Sequence, residues 1–212
     1  FQTSPNSVIL TLFFFLLIIL LHLLNASLFE FCIVCNLALS DENKLLIAQS
    51  DVLTPLVSLA QSPDIEVSRQ ACGALANIAE DVEAHPNMVY EQSMHFLVFL
   101  MRSRHLDVHR EATRAVANLL SSRENHAVFL EEDGLKSLFR IAKSLDSECE
   151  YHAALCFRKL SPNVETHRGI IGNGGLQPVS IFKRKRERRR SGTRMEHCRL
   201  TFLFIFPPPS RI

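Results

Sequence analysis

VSRQACGALANIA (67–79), VHREATRAVANLL (108–120) and CEYHAALCFRKLS (149–161) are three versions of one segment, set 41 residues apart. In the first, Val67, Ala71, Ala74, Leu75 and Ile78 fall at helical spacing and predict a helix with one buried stripe. The same offset aligns Asn36, Asn77 and Asn118, with Lys159 in the fourth equivalent place. It also aligns Ala71, Ala112 and Ala153, then Leu37, Ile78, Leu119 and Leu160, then Glu42, Glu83, Glu124 and Glu165, then His85, His126 and His167. So many matches at one offset identify an internal repeat.

A shorter apolar helix is predicted before each segment: VLTPLVSLAQ (52–61), SMHFLVFLMR (93–102) and GLKSLFRIAK (134–143). Pro63-Asp64 marks the turn between the first such pair. Ahead of these lies a third, short helix opened by the recurring Glu, whose carboxylate complements the helix macrodipole. Ser121 and Glu124 stand at capping-box spacing. Three helices in about 41 residues cannot bury their apolar faces alone, so neighbouring units must stack on a shared core. The expectation is an all-α, right-handed superhelical α-solenoid of about three complete repeats over residues 32–181.

These residues carry a resemblance. GALANIAEDVEAHPNMV and RAVANLLSSRENHAVFLEEDGLKSLFRIA resemble armadillo repeats, in which a long third helix ends in an alanine- and asparagine-containing stretch. HEAT repeats would show two helices and a different Pro/Asp/Arg pattern. The resemblance implies a binding scaffold whose third helices line a groove, the Asn of each holding the backbone of an extended peptide. That role falls on Asn36, Asn77 and Asn118. An amide both donates and accepts, so evenly spaced Asn can pair with an extended chain whatever its side chains. The alternative is that these Asn bond neighbouring helix ends. Lys159 departs from the pattern and implies a less regular last unit. Arg69, Gln70, Arg110 and Arg114 complete the predicted face, where Arg69, Arg110 and Arg114 meet acidic partner segments or are neutralised by the nearby Asp107 and Glu111. Importin-alpha-type arrays place Trp four before each Asn; here Cys32, Gly73 and Arg114 stand there and Trp is absent, which argues against an import receptor. The repeats are also similar, in general terms, to those of vacuolar-membrane armadillo proteins.

Charge supports a protein partner. Residues 1–179 hold 13 Lys/Arg against 20 Asp/Glu, whereas 180–212 hold 10 against 2, so the body is at −7 and gives nucleic acid no basic face. Nucleic acid is a candidate only for 183–190, where seven of eight residues are basic. The six Cys form no regular disulfide framework, and four sit in apolar helical patterns and read as small hydrophobes, which implies a reducing, cytoplasmic setting.

The ends do not follow the repeat. Val8 to Leu24 reads VILTLFFFLLIILLHLL, and extended to Phe29 the segment is 22 residues, enough to span a bilayer. Val8, Phe14, Leu17 and Leu24 represent this membrane candidate. The competing reading makes 1–31 and 180–212 translated non-coding sequence around an armadillo fragment; the tail, from 182 on, reads as disordered. Cys32-x-x-Cys35 lacks a second pair for tetrahedral zinc. His105 and His109 lack a third ligand and read as surface residues, and GIIGNGG (169–175) matches no phosphate loop. No catalytic group stands out. The sequence therefore predicts a monomeric, non-catalytic scaffold without cofactor that binds an extended protein segment. The alternatives are a membrane-anchored armadillo protein and the substrate-recruiting part of a larger ubiquitin ligase or kinase.

Overall fold

The computed structural model describes residues 34–144 and 146–172. Every regular element among them is helical. A helical stretch at 34–37 is followed by α1 (Asp41–Ala48), α2 (Leu53–Leu59) and α3 (Ile65–Ile78), then by a single 3-10 turn (Val82–Ala84) leading into α4 (His85–Tyr90). Next come α5 (Ser93–Leu100), α6 (Leu106–Leu119), α7 (Asn125–Glu131), α8 (Gly134–Ile141), α9 (Ser147–Leu160) and α10 (Val164–Gly172). The chain divides into two compact units between Ser93 and Met94. The candidate membrane residues Val8, Phe14, Leu17 and Leu24, the basic run 183–190 and the apolar tail lie outside the described residues.

The three long helices, α3, α6 and α9, are each 14 residues, or nearly four turns. They begin two residues earlier than the apolar stripes suggest. In α3 the cause is Asp64, whose Oδ1 accepts from the backbone N–H of Glu66 (2.9 Å) and Val67 (3.2 Å). Asp146 caps α9 in the same way through Cys149 N (2.9 Å). Val67 is only half-buried and does not belong to the core stripe. Ser68 is buried in its place, its hydroxyl donating to Ala60 O (2.6 Å) at the end of α2. That bond satisfies a carbonyl the helix end leaves without an internal partner.

In unit 1, α3 packs against α1 and α2, and Ile47, Leu53, Leu75, Ile78 and Met88 are fully buried. In unit 2, α6 and α9 lie side by side over Met94, Leu97, Met101, Leu119, Leu120 and Phe129. Phe139 and Phe157 add a tilted ring contact at 5.4 Å. Burying one such side chain contributes roughly 1.5–3 kcal/mol. The free thiols Cys72, Cys149 and Cys156 are buried with them, and burial pushes Cys149 and Cys156 up to about 12, so both stay protonated.

Short-helix side chains tie each module to the end of the long helix before it. Asn43 Nδ2 donates to Leu37 O (3.1 Å), Asn125 Nδ2 to Leu119 O (2.8 Å) and Thr166 Oγ1 to Leu160 O (2.7 Å). The in-phase histidines take the next carbonyls: His85 Nε2 to Ala79 O (2.9 Å), His126 Nε2 to Leu120 O (3.0 Å) and His167 Nε2 to Ser161 O (2.6 Å). A carbonyl can only accept, so each Nε2 carries the proton. In His126 the free Nδ1 then accepts from Asn163 Nδ2 (3.4 Å). Lys44, in the same phase, instead extends a buried ammonium to Asp41 (2.6 Å) and Glu80 (2.8 Å).

The capping box predicted for Ser121 and Glu124 does not form. Glu124 occupies the N-cap position of α7 in helical backbone geometry without a side-chain cap, and the Ser121 hydroxyl accepts from Lys159 instead.

Candidate functional site

The predicted residues lie on α3, α6 and α9 and on the helical stretch at 34–37. In unit 1, Asn36 is exposed, whereas Asn77 is only 8% exposed. Its Nδ2 donates to Cys35 O at 3.3 Å, a carbonyl in the last turn of the preceding helical stretch. Cys35 returns the contact, its thiol donating to Gln70 O at 2.8 Å. Arg69 is held by Glu66, Nε to Oε2 at 2.9 Å with a second, shorter contact from Nη2 to Oε1, and Gln70 Nε2 reaches the same carboxylate at 3.1 Å. Glu66 is thus the organiser of this part of α3, and its carboxyl is held below its usual range by the Arg69 bond.

In unit 2, Asn118 is half-buried on α6. Lys159, one period on, reaches 42 residues back as Asn77 does: its Nζ donates to Ala117 O (2.5 Å) and to Ser121 Oγ (2.8 Å). The irregular fourth member therefore keeps the ladder's link between long helices, with a longer arm. Burial pulls the Lys159 ammonium below its usual range.

Arg110 and Arg114 are both held in ion pairs. Arg110 grips Asp146, the α9 cap, with Nε to Oδ1 at 3.1 Å and Nη2 to Oδ2 at 2.5 Å, and also bonds Asp107 at 3.0 Å. The Arg110 guanidinium holds the Asp146 carboxyl well below the usual carboxylate range, and Arg110 is raised in turn. A two-pronged pair between α6 and α9 fixes their offset as well as their charge. Arg114 is held by Glu111, Nε to Oε2 at 2.9 Å.

One neighbour was not foreseen from sequence. His152, on α9, lies in the field of Arg114, Glu111 and Lys159, and its shielded Nδ1 has no hydrogen-bond partner. Burial first, and then the Arg114 charge, push it down to about 4, so the ring is neutral at pH 7. The only signal in the sequence was its position one helical turn before Cys156 and two before Lys159. His109 departs from the surface reading: it is half-buried, with a shielded, unpartnered Nε2. His105, by contrast, is exposed at the start of α6. Among the described residues no group of three or more His, Cys, Asp or Glu could hold a metal ion. Nor is any helix among them long and apolar enough to cross a membrane.

The three-helix module has a 14-residue third helix with an in-phase Ala/Asn stretch in α3 and α6, and residues 40–80 match the family model for the armadillo/beta-catenin-like repeat. The chain has the fold of armadillo repeat proteins. The armadillo architecture extends over most of it. A computationally designed armadillo repeat protein for modular peptide recognition superposes with a TM-score of 0.75 at 20% identity, covering 84% of this chain and 74% of that one. A designed armadillo repeat protein in complex with the peptide (KR)4 gives 0.74 at 22% identity, with the same coverage. An engineered protein gives 0.73 at 26% identity, covering 83% of this chain and 71% of its own. At this identity the designed proteins establish the shared fold. No curated protein sequence matches the chain.

Proposed function

We propose that this armadillo protein is a non-catalytic cytoplasmic scaffold that holds an extended segment of a partner protein against its third helices. The observation that carries the reading is the α6–α9 face of unit 2. There Arg114, Asn118, His152 and Lys159 are all half-buried, and the charges of Arg114, Glu111 and Lys159 act on the His152 ring. Half-buried polar groups fixed by ion pairs are pre-organised, so a partner does not bear the cost of ordering them. Asn118 offers the partner backbone an amide, and Arg110, Arg114 and Lys159 set the local charge. Asn36, Asn77, Arg69 and Gln70 form the corresponding surface of unit 1. Support for peptide recognition comes from the designed armadillo proteins, one of which is complexed with a peptide. The free thiols Cys35, Cys72, Cys149 and Cys156 fit a reducing compartment.

The test is site-specific cross-linking. Peptides are selected by display on the immobilised chain, and a photo-reactive amino acid is placed at Arg114 or at the exposed Ala127 of α7. Cross-linking from position 114 and none from 127 is expected; the reverse pattern removes the third-helix assignment.

A further inference from the structure

The second helices of the modules share a fold but not a surface. In unit 1, Ser58, Gln61 and Pro63 occupy the positions that one period later become Phe99, Arg102 and Arg104, and Phe99 and Arg102 are followed in turn by Arg140 and Lys143. α2 and α5 end without a basic residue in the last turn, whereas α8 carries Arg140 there. The five unit 2 residues are all exposed, Phe99 at 64%.

Local geometry gathers them. Arg102 leaves the end of α5 and donates from Nε to Ser137 Oγ on α8 at 2.8 Å. The buried Ser137 in turn lies 3.5 Å from Val98 O of α5, which holds the two helices side by side. Arg140 follows Ser137 by one helical turn and Lys143 by another, while Phe99 precedes Arg102 by one turn. The nearby acids are already engaged. Asp133 is held by Lys136 at 2.7 Å and also feels Arg102. Glu132 is held by His95 at 2.5 Å, and Asp146 by Arg110 at 2.5 Å. Among the described residues, Arg104, Arg140 and Lys143 enter no ion pair.

We infer that this face of α5 and α8 docks an acidic protein segment carrying an apolar residue. The apolar side chain seats on Phe99, and the carboxylates meet Arg102, Arg140 and Lys143. An anionic bilayer fits less well. Phe99 is the only large exposed apolar residue on the two helices, too little to insert, and a flat membrane confronts the whole body at −7. A peptide segment is attracted locally, within a Debye length of about 8 Å at physiological salt. This surface is separate from the third-helix face and does not depend on it.

The experiment measures fluorescence anisotropy of the labelled acidic peptide EEDFDEE with the full chain at about 0.15 M salt. Because the basic run also attracts acid, the titration is repeated with the seven basic residues of 183–190 replaced by glutamine. Binding is expected in both backgrounds. Arg140→Glu/Lys143→Glu is expected to weaken it about tenfold and Phe99→Ala about fivefold, with unchanged circular dichroism, and Tyr90→Ala, at an exposed position of α4, to leave it unaltered. The inference is overturned by absence of binding, by affinity that disappears with the 183–190 charges, or by indifference to the Arg140/Lys143 reversal. It is equally overturned if mixed phosphatidylcholine/phosphatidylserine vesicles outcompete the peptide for the same residues.

Discussion

Asn125 shows what a single amide does in this fold. It is buried and donates to Leu119 O at 2.8 Å, so Asn125→Ala removes the shorter of two hydrogen bonds to that carbonyl and leaves the one from Ser122 N at 3.3 Å. It is expected to lower unfolding free energy by about 0.5–1.5 kcal/mol in urea titration; a loss within error would show that the amide contributes nothing to the helix end. The two half-buried histidines act through pH. Burial lowers His109 and His152, the latter to about 4 from an ordinary value of 6.5. The unfolded chain therefore takes up a proton that the folded one refuses. The stability associated with neutral His152 is fully present above pH 6.5 and declines as pH falls towards 4. His152→Leu should flatten the stability curve across that window, and parallel curves for the two proteins would contradict the assignment. Asp146 has the opposite charge type and the same acid sensitivity. Its carboxyl is depressed by Arg110 from 3.8, so its contribution fades only below about pH 4, after the histidine window.

Among the elements, the turns before α5 and α8 hold left-handed backbone, whereas the turn before α2 does not. Gln92 and Asp133, equivalent in the 41-residue period, both have φ of 58°, left-handed backbone that costs an ordinary residue roughly 1–2 kcal/mol. Gln92→Gly is expected to raise the thermal midpoint by a few degrees, and a lower midpoint would show that the Gln92 side chain contributes more than its backbone costs. Much of the element order was legible in the sequence: three long helices at one period, each preceded by a shorter one, follow from Ala71, Ala112 and Ala153 and their neighbours. The long helices' starts were misplaced because Val67 was counted as core, whereas the decisive signal was Asp64 and Asp146 as caps. His85, His126 and His167 were visibly in phase, but their use as helix-end donors was hidden. The partner atoms are backbone carbonyls, which leave no mark in the sequence. For the same reason the Asn77 bond to Cys35 O could be framed only as one of two alternatives, and the Lys159 bond to Ala117 O was not foreseen. The Arg110–Asp146 pair was missed because its halves are 36 residues apart, off the repeat period.

Taken whole, the molecule combines an acidic body with repeated half-buried polar positions on its long helices. Asn77 and Asn118 occupy the same place in the repeat but differ in burial, and the proposed partner-binding role falls first on the more accessible Asn118. Isothermal titration of a displayed partner peptide into the wild-type chain and into Asn118→Ala tests the central claim most directly. Affinity is predicted to fall by about 1–3 kcal/mol. Equal affinity for the two proteins would contradict a partner-binding role for the third-helix face.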